Sequence, residues 1–411
     1  MKHTDVLILG AGCAGTSLAS HLETANFTGS VTLLDKRNDF SQEQRWCAWS
    51  EIPDVMKPLV SHEWQKWQVR DENKIVENNS QKVSYKQIYA PDFFSFFHSQ
   101  WKSSNSKTKL FTGRTVQKVE SHQDFVRVST DNEEWQAKIV FDARHQNSQN
   151  FNKHLVRQNS QRNGLQQSFL GWTIEFPADT FDAETAVIMD FRTSQSDNIN
   201  FVYILPYSKR RALVESTCFT ASKVEWLRHE QILRSYLHKN FGDDYEITAE
   251  ERGELPMTTA PFDFELGENF YAIGVGGGHA RPSSGYAFHR IQRHTKQIAH
   301  DIVNGKTPSP DFASSKYTFF DAVFLDIMQN KPDLARKCFV QLFEKVEPQI
   351  LTGFLCDESS WIDDLAIIRA LPKTPFASTA AKFALKSYNK SIDVPTNNVI
   401  KSPGVVRRSV V

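Results

Sequence analysis

Asp5-Val6-Leu7-Ile8-Leu9-Gly10-Ala11-Gly12-Cys13-Ala14-Gly15 is a short apolar run that stops at Gly10 and continues into spaced glycines. The next segment, Thr16 to Leu22, has helical spacing of its apolar residues. Past Gly29 a second β-run, Val31-Thr32-Leu33-Leu34, ends at Asp35, so residues 5 to 35 read as one strand, helix and strand unit. A glycine turn opening a helix is what a pyrophosphate needs: a tight bend, close backbone approach, and amide N–H groups at the helix N-terminus. Gly10, Gly12 and Gly15 are therefore the predicted phosphate cradle, and Asp35 the predicted partner of a ribose hydroxyl. An acid at that position argues against a 2′-phosphate, which leaves FAD or NAD. The simpler use of such glycines is to pack a helix on a sheet.

Working outward, the choice between those two rests on a distant second glycine strand. Phe270-Tyr271-Ala272-Ile273-Gly274-Val275 reads as a strand entering Gly276-Gly277-Gly278, and the following helix puts Phe288, Ile291, Thr295, Ile298 and Ile302 on one face. In FAD proteins a late strand and helix close over the flavin end of the cofactor, so Gly276, Gly277 and Gly278 join the expected FAD contacts. Asp142, in the run Lys138 to Phe141 followed by Asp142-Ala143-Arg144, marks another return to the parallel sheet and joins the expected cofactor contacts.

Between these landmarks, residues 44–90 are rich in Trp and polar groups and read as strands or loops beside the cofactor. Residues 145–164 carry Gln, Asn and Ser and form the best linker. Phe201 to Leu205, a polar turn over Pro206 to Arg210, and Ala212 to Phe219 predict a β-hairpin. The fold class is α/β: a Rossmann-like FAD-binding domain (1–165, with the Trp-rich β insertion at 44–90, and again 266–306), an inserted antiparallel β-sheet substrate domain (166–265), and a helical C-terminal portion (307–390). Residues 391–411 read as a disordered tail.

Composition narrows the function. Lysine plus arginine number 48 and aspartate plus glutamate 48, so no net field recruits nucleic acid. The mean hydropathy of −0.47 describes a soluble globular chain, and no apolar run reaches the ~18 residues of a bilayer-spanning helix. Five scattered cysteines form no CxxC pair, which suits neither a zinc site nor a secreted disulfide framework and points to a reducing compartment; no metal is expected. The 30 Phe and 9 Trp offer walls for an apolar ligand or a membrane-facing surface.

A series of motifs then gives the chain a family likeness. Arg45-Trp46-Cys47-Ala48-Trp49, Val140-Phe141-Asp142-Ala143-Arg144, Phe169-Leu170-Gly171-Trp172-Thr173-Ile174-Glu175 and Ile188-Met189-Asp190-Phe191 come first. Phe201-Val202-Tyr203-Ile204-Leu205-Pro206, Leu213-Val214-Glu215-Ser216-Thr217, Gly253-Glu254-Leu255-Pro256-Met257-Thr258, Arg281-Pro282-Ser283-Ser284-Gly285-Tyr286-Ala287-Phe288 and Phe320-Asp321-Ala322-Val323-Phe324-Leu325 follow in order. Together with the N-terminal glycines, these resemble the FAD-binding lycopene β-cyclases from Asp5 to about Phe376. Two departures are Ser284, where the family often has Thr, and Ser216, where relatives often carry an acid. The aspartate that many flavin hydroxylases place in the late glycine loop is missing from Gly274 to Gly278, which favours the cyclase pattern.

The resemblance implies proton-initiated ring closure on a linear carotenoid, with reduced FAD as cofactor and NAD(P)H as its reductant. It names Glu215 as the catalytic acid: in a strand Glu215 shares a face with Leu213, Thr217 and Phe219, an apolar setting that would keep a carboxyl protonated, whereas an edge strand would turn it to solvent, the reading the residues alone favour. Asp190 and Glu254 are secondary acids with structural roles equally open. Trp46, Trp49, Tyr203 and Tyr286 are candidates to line the pocket, and His279 carries little weight. A hydrophobic carotenoid substrate implies a cytoplasmic protein held peripherally on a membrane, with the aromatic helices after Tyr317 as the expected surface. A redox flavoenzyme on a lipid or polyene, and a non-catalytic isoprenoid binder, are the competing readings.

Overall fold

The computed structural model describes residues 1–42, 44–49, 51–102, 106–144, 164–195, 198–310 and 314–392. The expected linker (145–164) lies outside these residues except for its last position, and the expected tail falls outside them from residue 393.

The strand Lys2–Leu9 sits at the centre of a parallel array, between Val31–Leu34 and Glu134–Asp142. Thr108–Phe111 and Phe270–Ala272 extend the array at either side, also in parallel. Leu9 is level with Leu34 and with Asp142, and Asp142 with Ala272. The carboxyl ends therefore align along one edge, where an open α/β sheet places its ligand. The helices Cys13–Thr24, Ala90–Trp101 and Phe288–Val303 bury one face of this sheet, with Leu18, Leu22, Phe93, Phe97, Ile291 and Ile298 in its core. The late glycine strand is shorter than its sequence suggests. It stops at Ala272, and Gly274–Gly277 form a 3₁₀ turn that Gly278 ends at φ +89°. Positive φ at Gly274 and Gly278 breaks the extended run that its apolar residues advertise.

The second sheet has seven strands in the order Glu246–Thr258, Gly164–Glu175, Arg211–Thr220, Ile199–Pro206, Thr185–Asp190, Lys66–Arg70 and Ile75–Asn79. Its last two strands come from the Trp-rich stretch, whose remaining strands Arg45–Ala48, Tyr85–Tyr89 and Val60–Trp64 form a small antiparallel sheet. The hairpin over residues 199–220 forms as its pattern predicts, with Tyr203 opposite Glu215. Alternation gives the large sheet two apolar faces. Trp172, Val214 and Ile204 pack under the helix Trp226–Asn240, while Leu213, Phe219 and Phe201 pack against the C-terminal helices.

Those helices are Ser315–Asn330, Pro332–Lys345, Pro348–Leu355, Trp361–Ala370 and Lys373–Ile392. A buried ionic cluster fastens them to the 281–290 segment. Arg281 donates to Asp321 (3.0 Å) and Arg290 to Asp357 (2.7 Å), Ser283 donates a further bond to Asp321, and the four charged side chains are 1%, 1%, 9% and 3% exposed. Such a cluster tolerates burial only because each charge meets an opposite one.

Candidate active site

One cavity of about 910 Å³ runs from the carboxyl edge of the parallel sheet, across the inner face of the large sheet, to the C-terminal helices. Its first end is the glycine turn. Gly10 has φ +98°, and a side chain at Gly15 would stand 2.0 Å from the Gly10 carbonyl, so both must be glycine for the helix to start against the strand. A Cβ at Gly12 would meet nothing within 4 Å, so the turn faces open space there, and the helix it begins has no side-chain cap on its first N–H groups. Free amides and room beside them fit a pyrophosphate.

Asp35 borders the same space and accepts from the Ala11 N–H at 2.7 Å and from Arg37 through Nε (3.0 Å) and Nη2 (2.9 Å). Burial alone would raise its carboxyl, but the Arg37 guanidinium and the backbone donors outweigh that and hold it below the usual range. Asp142 is clasped in the same way by Arg144 and does not itself reach the cavity, which Arg144 and Ala143 line instead. Gly276, Gly277 and Gly278 do not line it either; Val275 and the 283–288 segment do. The glycines are needed for packing, since a Cβ on Gly277 would lie 2.7 Å from the Ala272 carbonyl and one on Gly278 2.6 Å from the Phe262 ring.

The middle of the cavity holds a row of residues across the large sheet. Glu251, Gly171, Glu215 and Tyr203 lie opposite one another on four adjacent strands, so all four face the same way. Gly171 leaves a gap between the two acids: a Cβ there would be 3.2 Å from Glu251 Cγ and 3.4 Å from Glu215 Cβ. Arg45, from the small sheet, pairs with Glu251 at 3.0 Å and donates to Thr173 at 2.9 Å. The cation thus sits on Glu251, while Glu215 has the Thr217 hydroxyl at 2.6 Å. Burial and then the neighbouring Glu251 charge push the Glu215 carboxyl up to about 8, against weaker lowering by Thr217 and Arg45. The two acids thus differ in their partners: Glu251 meets a guanidinium and Glu215 a hydroxyl.

On its other side Glu215 faces tyrosines and a cysteine. The Tyr203 hydroxyl lies 3.0 Å from Tyr85 Oη and 3.3 Å from Cys47 Sγ, within hydrogen-bond reach of both, and Trp49 donates to Tyr286 at 3.2 Å. Burial raises the phenols of Tyr85 and Tyr203 well above their ordinary value and that of Tyr286 to about 12. Trp46, Tyr203 and Tyr286 line the cavity, while Trp49 stands behind Tyr286. Beyond them the wall is apolar, with Phe201, Phe219, Phe324, Phe339 and Phe376.

Of the secondary acids, Glu254 lines the cavity, whereas Asp190 is fully buried away from it, bonded to Arg192 and to Tyr236 (2.6 Å). His279 is also buried outside the cavity, stacked on His294 at 4.2 Å and bonded to the Gly274 carbonyl. Sequence reasoning missed Glu251, the role of Arg45, and Gly171 as the space between acids. The strand Glu246–Thr258 is masked by its run of charged residues, and only strand register brings Glu251 beside Glu215.

This fold is that of the FAD-binding flavoproteins. It matches a flavoprotein/dehydrogenase from Cytophaga hutchinsonii with a TM-score of 0.58 at 12% identity, covering 94% of this chain and 100% of that one. A p-nitrophenol 4-monooxygenase from Pseudomonas putida matches with a TM-score of 0.59 at 10% identity, covering 87% and 99%. Sequence then separates the chain from these structural neighbours: residues 5–381 match the family described as lycopene cyclase protein, and the chain belongs to that family. It is similar to the chloroplastic neoxanthin synthase of Solanum tuberosum, 24% identical over 322 residues, with 73% of this chain and 61% of that one covered. The chloroplastic lycopene beta cyclase of Arabidopsis thaliana is 23% identical over 316 residues, with 73% and 60% covered. The match thus spans about three-fifths of the length of each of these relatives.

Proposed function

We propose that the chain is a non-redox flavoenzyme that closes the ψ end groups of a linear carotenoid into β-ionone rings, with Glu215 as the proton donor. The observation that carries this reading is a buried Glu215, its carboxyl pushed up to about 8, in an aromatic cavity that is continuous with a nucleotide cleft. Neutral hydrocarbon offers no handle but its double bonds, so the reaction must begin with a strong enough acid in a dry place. The Glu215 proton passes to the terminal C=C and leaves a tertiary cation, which the next double bond attacks to close the ring. Glu215, left as a carboxylate, is reprotonated as the cation loses a different proton, so the product is an isomer of the substrate.

Glu251, held ionised by Arg45, keeps the proton on Glu215 until the alkene takes it. The aromatic rings of Tyr203, Tyr286 and Phe201 stabilise positive charge and exclude the water that would trap the cation as an alcohol. Gly10, Gly12 and Gly15 with Asp35 would hold FAD, and Arg37 and Arg144 bring positive charge to the same cleft. When bound and reduced by NAD(P)H, FAD supplies an electron-rich group beside the cation and gives no electrons to the substrate.

The deciding experiment is anaerobic incubation with FAD, limiting NADPH and lycopene in liposomes, following product mass and nicotinamide use together. Product of unchanged mass, formed in excess over NADPH consumed, is expected. A mass change by oxygen or hydrogen in step with NADPH once air is admitted would make the protein a redox flavoenzyme instead, and unchanged lycopene would point to another substrate or to binding alone.

A further inference from the structure

Several aromatic residues of the C-terminal helices turn inward: Tyr317, Phe324, Phe339 and Phe343 are buried. The outward apolar surface lies further on, along the helix Trp361–Ala370. Its inner face buries Ile367 and Ala370 in the core, yet Trp361 is 69%, Ile362 80%, Leu365 48% and Ile368 49% exposed. These positions fall on one side of the helix, so one short helix carries two apolar faces and only one of them is covered.

This bare face is also a mouth of the cavity. Ile368, Lys373 and Ala377 are all exposed and all line the cavity wall, which continues inward through Leu371 and Phe376. Charge adds a second feature. From Leu365 to Leu385 the sequence holds Arg369, Lys373 and Lys382 and no acidic residue; Lys382 pairs with Asp326 at 2.9 Å, while Arg369 and Lys373 are exposed. The two acids just before that stretch are occupied: Asp363 caps the helix on Ser360, and Asp364 is buried in an ion pair with Lys316 at 2.7 Å. Among the described residues no helix is long and apolar enough to cross a membrane. An exposed apolar ridge beside cations is the pattern of a helix lying in the interface of an anionic bilayer.

We infer that the helix Trp361–Ala370 docks the protein on an anionic lipid surface, so that the cavity mouth at Ile368 opens directly into the hydrocarbon layer. Trp361, Ile362 and Leu365 insert among the acyl chains, and the exposed Arg369 and Lys373 after them meet the headgroups. The choice of lipid as occupant rests on the reading of the cavity as a hydrocarbon site.

The test uses the full chain loaded with FAD, in flotation with vesicles of pure phosphatidylcholine and of phosphatidylcholine with phosphatidylglycerol. Flotation with the anionic vesicles, weakened by salt, is expected, and the triple variant W361S/I362S/L365S should lose roughly ten-fold or more in partitioning. Because these side chains do not line the cavity, its turnover of substrate delivered in detergent micelles, flavin absorbance and melting temperature should match wild type. No flotation of wild type, or equal flotation of the triple variant, overturns the inference. So does a concentration-dependent dimer abolished by the triple variant without vesicle binding, which would make the face a self-interface. If wild type floats but turns over no carotenoid from micelles, the docking surface stands and the cyclase reading fails.

Discussion

The two sheets treat buried carboxylates in opposite ways. At a strand end in each sheet, Asp35 and Asp190 are followed two residues later by an arginine, and each aspartate accepts both the backbone N–H and the guanidinium of Arg37 or Arg192. Burial works against the charge in both, yet the paired cation wins and both carboxyls lie below the usual range. Glu215 stands mid-strand, where the following residues point to opposite faces and none can fold back with a cation. The nearest guanidinium, Arg45, is bound to Glu251 instead, so burial prevails. One residue class therefore yields fixed anions at strand ends and a proton donor in mid-sheet, according to where the arginine is spent.

The sharpest break of this contrast is Glu215→Gln, which keeps the shape and removes the transferable proton. Cyclisation should fall by roughly 10³-fold, with flavin absorbance intact; a rate within ten-fold of wild type would move the acid elsewhere. Asp190→Ala tests the other side. It strands Arg192 and Tyr236 and should lower unfolding free energy by about 4 kcal/mol in a denaturant titration, while the pH dependence of the remaining activity stays where it was.

A third test reads the cost of the poised acid. Between its unfolded value of 4.5 and its folded value of about 8, the unfolded chain has released the Glu215 proton while the folded chain keeps it. Stability should therefore fall as pH rises through that window, by about 3 kcal/mol at pH 7. Glu215→Gln lacks this slope and should gain melting temperature over wild type at pH 7 relative to pH 5; parallel curves would mean that Glu215 is already ionised. The smallest effect belongs to Glu251→Gln. Activity needs protonated Glu215, so the wild-type rate should decline above about pH 8. Removing the Glu251 charge should move that decline to lower pH, with about five-fold less activity at pH 8 for the first unit moved.

The nucleotide half was largely legible because its signals are local. Glycines from Gly10 to Gly15, the acid at Asp35 and the helical spacing from Phe288 to Ile298 each announce their own conformation. The substrate half was legible only where strands alternate cleanly, as in the 199–220 hairpin. Lys66–Arg70 joins the large sheet by pairing with Thr185–Asp190, more than a hundred residues away, and nothing in its own sequence states that partner. The second carboxylate escaped for the same reason. Glu251 acquires meaning only when the register sets it across Gly171 from Glu215, and a glycine inside a strand does not disclose what approaches it.

The ionic cluster of Arg281, Arg290, Asp321 and Asp357 bears on how such a protein can be cut and recombined. Its cations belong to the segment that closes the flavoprotein fold, its anions to the C-terminal helices. A gene fragment stopping before Ser315 would encode two buried arginines and none of their counter-charges. The helical portion is accordingly no exchangeable module: a graft from a distant flavoprotein onto this scaffold would have to bring its own acids to those two positions, or Arg281 and Arg290 would be buried without counter-charges.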